Sequence, residues 1–129
     1  MPKIINAAMP APTAPPPEPE WEERTLVFRL SGGRIHTEDG WRFSELFVHA
    51  SLPNDGADLV NVTHVATRLA ILRVREVEDA IAGAEILWNE CRGAWQYADE
   101  IDKTKIPSRV EAWIRECNNQ KKLVPLCPP

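Results

Sequence analysis

Hydrophobic and polar positions alternate most regularly in the second half of the chain. From Val77 onward, apolar residues recur at steps of three and four, which places them along one stripe of an α-helix. Glutamates, aspartates and arginines mostly fall off this stripe, as expected for an amphipathic helix. The spacing therefore predicts a long helix whose stripe consists of Val77, Ala80, Ala84, Leu87, Cys91, Ala94, Ala98 and Ile101, flanked by Ile81, Trp88 and Trp95.

The preceding stretch, 58–76, carries two competing signals. Val62, Val65, Leu69 and Leu72 keep helical spacing, and neither glycine nor proline occurs between Ala57 and Ala82. Many residues here are β-branched, however, and this favours strands. Length and the absence of breakers lead us to predict that 58–102 is one helical segment, or two helices in tandem.

Small side chains dominate the helical stripe, so that another element could approach its backbone closely. One interpretation is that the stripe packs against the protein's own sheet and last helix. The alternative is a helix–helix contact with a second copy or a partner, because the pattern lasts just long enough for a coiled coil.

Residues 24–52 have the alternation of a small antiparallel β-meander. Leu26, Phe28 and Leu30 alternate with more exposed positions, and a second alternating run covers 46–52. Two glycine-containing turns are predicted between the strands, and a third turn closes the sheet. These turns are Gly32-Gly33, Asp39-Gly40 and Pro53-Asn54-Asp55-Gly56.

The C-terminal part predicts a short helix followed by an apolar tail. Ser108 and Glu111 have the spacing of a capping box, and apolar residues follow at helical spacing as far as Cys117. We expect this helix to cover 108–122. The tail, 123–129, either packs on its own domain or serves as a docking peptide.

The N-terminal segment, 1–23, holds seven of the twelve prolines within its first nineteen residues. Proline lacks an amide hydrogen and fixes φ, so this segment is expected to be an extended or disordered arm, mostly polyproline II. Ile4 and Ile5 are its only large apolar cluster. The predicted architecture is therefore α+β, with an arm (1–23), one domain (24–122) and an extended tail (123–129).

Charge and cysteine content restrict the function. The net charge of −4 argues against a general nucleic-acid-binding protein. The acids concentrate in 58–102 and the bases in 103–129. Three cysteines cannot all pair, and they lack the spacing of a zinc site. With no signal peptide and no apolar run long enough to cross a bilayer, we expect a reducing, cytoplasmic location, or a particle assembled there, without membrane contact.

Candidates for catalysis are weak. His36, His49 and His64 are too dispersed for a typical zinc site, and we expect them to be surface residues. Cys91 lies on the buried stripe, where thiols are usually inert. No cofactor, metal or catalytic activity is predicted.

Five tryptophans in 129 residues are more informative, because tryptophan is enriched in protein interfaces. Trp21 and Trp41 are hard to place in a small core. We therefore expect a non-enzymatic structural or adaptor subunit of a larger assembly, for instance a phage-like particle. Its partners would be other protein subunits or further copies of itself. The predicted contact residues are Ile4, Ile5, Trp21, Trp41, Leu123, Val124 and Leu126.

The alternative hypothesis is a compact acidic inhibitor of a nucleic-acid-handling complex. In that case, the carboxylates of the long helix would imitate a phosphate backbone. The relevant residues are Glu78, Asp79, Glu85 and Glu90.

Overall fold

The computed structural model describes residues 20–52, 58–97 and 99–126. These residues form a five-stranded antiparallel sheet and two helices, and the α+β prediction is confirmed. The strands follow one another in space as they do in sequence. In chain order the elements are β1 (Trp21–Arg29), β2 (Ile35–Phe43), β3 (Leu46–Ala50), β4 (Val60–His64), β5 (Ala70–Val74), α1 (Val77–Trp95) and α2 (Ser108–Gln120).

One face of the sheet is covered by the two helices. Alternate residues of β3, β4 and β5 point towards this layer, and their side chains are fully buried among those of α1. Small residues on α1, such as Ala80 and Ala84, allow the helix to lie close to the strands. The helical stripe therefore packs against the protein's own sheet, which was one of the two interpretations of the sequence.

Helix α1 ends at Trp95, before the predicted limit at 102. The helix prediction for 58–76 is wrong. This stretch forms β4 and β5, which pair with each other and extend the meander. Its β-branched residues favour this outcome, because they suit a pleated surface buried on both sides. Val62 pairs with Val48 on one neighbour and with Leu72 on the other, and all three are fully buried.

The turn between β4 and β5 contains no glycine, which is why the sequence pattern concealed it. Arg68 takes the left-handed backbone conformation, with φ of 63°. Its guanidinium group donates to the carbonyls of Val65 in the same turn and of Val27 in β1. These two bonds help to offset the strain of a left-handed non-glycine residue.

The predicted turn at Asp39-Gly40 is also wrong, since β2 continues through both residues. The β2–β3 connection instead turns at Ser44, with φ of 56°, and Arg42 Nε donates to the Ser44 carbonyl over 2.6 Å. Glycine is required at position 40 for close packing. A Cβ atom there would lie 2.2 Å from the Val48 carbonyl oxygen and 2.9 Å from the Phe47 ring.

Helix α1 is distorted at Cys91, whose φ of −154° and ψ of 53° are not helical. The carbonyl of Leu87 accepts from the indole Nε1 of Trp95 over 2.9 Å. A side chain that inserts in this way interrupts the backbone ladder and bends the helix. At the end of α1, His64 donates to the Trp95 carbonyl and the amide of Asp102 donates to the Ala94 carbonyl.

The second predicted helix is confirmed, with Ser108–Gln120 as its bounds. Its capping-box prediction is wrong: Pro107 is the N-cap, and no side chain caps this end. Val110, Trp113 and Cys117 form its buried face, as their spacing predicted. Asn118, one residue further, contacts the backbone of β5.

Candidate functional surface

The histidines have structural roles within the fold. His64 is fully buried; its Nε2 donates to the Trp95 carbonyl over 2.8 Å, and its Nδ1 accepts from the Thr67 hydroxyl over 2.9 Å. His49 is also buried and packs between the rings of Phe28 and Phe47. The expectation that these two are surface residues is wrong.

Both ring nitrogens of His49 are likewise occupied by the chain itself. Its Nδ1 donates to the Ala50 carbonyl over 2.6 Å, which leaves Nε2 to accept from the Thr63 hydroxyl over 2.7 Å. His36 is half-buried, with its Nε2 2.5 Å from the Glu38 carboxylate. Each of the three histidines therefore has a polar partner within the chain.

The two described cysteines are buried thiols. Burial raises the pKa of Cys91 to about 11, with a smaller contribution from the nearby Glu90 carboxylate. Burial also raises the pKa of Cys117. A thiol with a raised pKa is protonated at neutral pH and is a poor nucleophile.

Within the described ranges, no group of three or more His, Cys, Asp or Glu side chains is arranged to hold a metal ion. No described helix combines the length and apolar character needed to cross a bilayer.

The acidic residues of α1 mostly contact the rest of the chain. Glu85 accepts from the indole of Trp21, Glu90 pairs with Arg109, and Asp79 accepts from the amide of Leu123. Three of the four carboxylates proposed to imitate phosphates are thus engaged internally, which disfavours that hypothesis.

Trp21 is bound to its own domain. Its ring stacks on Phe43 with centroids 4.8 Å apart, and its Nε1 donates to Glu85 over 3.0 Å. The premise that Trp21 is hard to place in a small core is therefore wrong, since its side chain is partly buried against the main core.

The C-terminal tail packs on the domain as far as the structure describes it. Leu123, Val124 and Leu126 are partly buried against the main core. The Val124 carbonyl accepts from the Trp113 indole over 2.7 Å. Of the two alternatives for this tail, the structure shows the packed one. Ile4 and Ile5 lie outside the described residues.

Among the predicted contact residues that the structure describes, Trp41 remains clearly accessible, with 44% of its surface exposed. It lies on β2 two residues before Phe43, where the cover provided by α1 ends. Strand pairing and alternation place further side chains of β1 and β2 on the same side as Trp41. We call the part of this set that α1 does not cover the hairpin face; it consists of Glu23, Thr25, Val27, Arg29, Ile35, Thr37, Asp39 and Trp41.

Two large apolar side chains on the hairpin face were not among the contact residues predicted from the sequence. Val27 is 47% exposed and Ile35 is 61% exposed. They are diagonal neighbours, because Val27 pairs with Thr37 and Ile35 pairs with Arg29. Strand alternation could have revealed Val27, since its neighbours Leu26 and Phe28 point to the opposite, buried side.

A shallow depression of about 320 Å³ lies next to Trp41. Glu23, Thr25 and Asp39 line it, and Thr25 donates to Asp39 over 2.6 Å. Arg24, which also lines the depression, pairs with Glu22 over 2.6 Å. The depression thus combines an exposed indole with hydrogen-bonding groups, a combination that is common in protein interfaces.

Comparison of the chain with models of known protein families, with curated proteins and with solved structures gave no match.

Proposed function

We propose that the protein is a structural or adaptor subunit of a protein assembly that includes further copies of itself. The observation that carries this proposal is the exposure of Val27, Ile35 and Trp41 on one face of the β1–β2 hairpin. Isolated apolar side chains on a surface are ordinary. Three on one strand pair, beside a depression, favour a contact surface.

The geometry of this face suits a protein partner. Val27 and Ile35 are adjacent, and Trp41 lies about 13 Å further along the strands, beyond the Thr25–Asp39 pair. A partner that covers all three would also cover the hydrogen-bonding groups between them. Such a contact would bury two apolar patches together with the polar pair between them, and a mixture of apolar and polar area is typical of non-obligate protein interfaces.

The residues that could have carried chemistry support the same proposal. Cys91, His49 and His64 are buried and have contacts within the chain. Since these groups serve the fold, the accessible hairpin face is the better candidate for function.

The test is the mass of the full chain in solution, measured by native mass spectrometry and light scattering over a range of concentrations. We expect a multiple of 14.5 kDa. A variant carrying Val27→Thr, Ile35→Thr and Trp41→Ser should shift the distribution towards the monomer. As a control, Leu69→Thr changes an apolar residue with 57% exposure outside the hairpin face and should leave the mass unchanged. A strict monomer at every concentration would contradict the proposal.

A further inference from the structure

The two outer edges of the sheet differ in how their backbone groups are satisfied. At β5, the Asn118 side chain accepts from the Arg73 amide over 2.8 Å and donates to the Ile71 carbonyl over 3.0 Å. The Arg75 amide, just beyond β5, donates to the Lys121 carbonyl over 2.9 Å. Residues at the end of α2 thus occupy the positions that another strand would take.

At β1, the contacts with the edge come from arginine side chains. Arg68 donates to the Val27 carbonyl and Arg24 donates to the Glu23 carbonyl, each over 2.8 Å. Both bonds are exposed to solvent. Along an edge strand of an antiparallel sheet, the backbone groups of every second residue point away from the sheet. Thr25 lies midway between Glu23 and Val27, so its amide and carbonyl also point away from the sheet. Among the described residues, none pairs with the outer side of Trp21–Thr25, so the first half of β1 is accessible to an additional strand.

The hairpin face lies beside this accessible edge. An added strand would place every second side chain on the same side as Val27 and Trp41. Those positions would border the depression that the exposed Trp41 indole lines, and this indole favours apolar side chains there. The nearby backbone favours a positive charge as well, because Glu22 and Glu23 lie on the strand and Glu20 directly precedes it.

The chain outside the described structure contains a segment with these properties. Nineteen residues precede Glu20, the first described residue. Lys3–Met9 is the longest proline-free run among them, and proline cannot donate within a β-ladder. In an extended conformation Ile5, Ala7 and Met9 share one side, and all three are apolar. Lys3 is the only charged side chain among residues 1–17.

The length of the intervening spacer indicates that Lys3–Met9 binds a second copy. Residues 10–19 include six of the seven prolines of the arm, and ten residues of polyproline II extend about 31 Å. The nine residues of β1 span a similar length, about 30 Å. If the arm folded back along its own strand, the prolines would lie along β1 and Lys3–Met9 would lie beyond its end.

We propose that Lys3–Met9 of one copy adds as a strand to the open half of β1, Trp21–Thr25, in a second copy. Ile5, Ala7 and Met9 then lie on the hairpin face, and Lys3 lies among the glutamates at the start of β1. This inference rests on the proposed function, because it names the segment and the surface through which the copies assemble.

Disulfide trapping tests whether the arm contacts β1 and whether alternate residues of the arm point to opposite sides of the sheet. The full chain carries Cys127→Ser, and a copy with Glu23→Cys is co-expressed with a copy that has one cysteine in the arm. We expect Ile5→Cys or Ala7→Cys to give a disulfide-linked dimer of twice 14.5 kDa. Asn6→Cys, on the opposite side of the added strand, is the matched control and should give little or none.

Mass measurement separates this inference from the proposed function. With Ile5→Asp, we expect the assembly to dissociate to the monomer, whereas Ala14→Asp in the proline-rich spacer should leave it intact. An assembly that survives Ile5→Asp and gives no trapped dimer would overturn the strand addition and leave the proposed function standing. Equal trapping from positions 5, 6 and 7 would also overturn it. A strict monomer of the unmodified chain would overturn both proposals.

Discussion

The β5 end and the β1 end of the sheet solve the problem of an exposed strand edge in different ways. At β5, helix α2 supplies Asn118, and the neighbouring residues are fully buried among both helices. At β1, charged side chains lie along the strand and two arginines donate to its carbonyls. The first solution adds to the stability of the domain. The second leaves the backbone of the first half of β1 accessible, because exposed side chains can be displaced.

The largest effect should come from the core at the β5 end. Leu72→Ala removes a fully buried side chain and leaves a cavity, so we expect the free energy of unfolding to fall by about 2–5 kcal/mol. Leu69→Ala, at a position with 57% exposure in the preceding turn, is the matched control and should change it by less than about 0.5 kcal/mol. Urea denaturation measures both. Similar losses for the two variants would contradict this view of the core.

A second substitution tests how the hairpin is attached to the rest of the sheet. Gly40→Ala places a methyl group against the Val48 carbonyl and the Phe47 ring, which should cost about 3 kcal/mol. Hydrogen exchange should show the first loss of protection in 21–43, with α1 retaining its own. Gly33→Ala is the comparison, because it has open space for a Cβ but φ of 80°. Its cost should be only about 1–2 kcal/mol.

A third substitution tests whether Asn118 of α2 covers the β5 edge of the sheet. Asn118→Ala removes both bonds to β5, and we expect a loss of about 1–2 kcal/mol. Hydrogen exchange should accelerate at the amide of Arg73. Asn119→Ala, at the exposed neighbouring position, is the control. Equal effects of the two substitutions would show that Asn118 does not close this edge.

The helix layer should also make stability depend on pH at alkaline values. The pKa of Cys91 is about 11 in the folded chain, against an ordinary value of 9.0. The unfolded chain therefore loses this proton first, so the stabilisation is present below about pH 9 and is lost as the pH rises towards 11. One such group changes the free energy of unfolding by at most about 1.4 kcal/mol per pH unit. Cys91→Ala should show a shallower decline in urea titrations from pH 8 to 10.5, and an identical slope would contradict the prediction.

The smallest effect on stability should come from the hairpin face. Ile35→Thr keeps a β-branched residue at a position that is 61% exposed, so the free energy of unfolding should change by less than about 0.5 kcal/mol. Its effect should instead appear in the mass of the assembly. A large loss of stability under conditions where the chain is monomeric would show that Ile35 belongs to the core and not to a contact surface.

Sequence patterns predicted the elements whose local and tertiary preferences agree. Helix α1 and the buried face of α2 follow directly from helical spacing, because one stripe of each is apolar and the other faces are polar. The Gly32-Gly33 turn was predicted because glycine adopts positive φ without strain, and both glycines have φ of 80°. Trp41 is accessible as expected, but the expectation relied on a turn at Asp39-Gly40 that the structure does not contain.

The errors arose where a distant contact decides the local structure. Arg68 turns the chain in a left-handed conformation with the help of the Val27 carbonyl, and neither residue suggests this locally. Gly40 resembled a turn glycine, but its role depends on the close approach of β3. His49 occupies a polar position of the pattern, yet it is buried because Phe28 covers it from β1.

By itself, the sequence determined that this chain has an α+β composition, a long amphipathic helix and a proline-rich N-terminal segment. These properties follow from residue spacing and from the chemistry of single residues. Only the tertiary structure decided that 60–74 forms strands, that Trp21 binds its own domain, and that one edge of the sheet is closed while the other is open. Such outcomes depend on which segments meet across the fold, and the energies of those contacts exceed the local preferences of the residues involved.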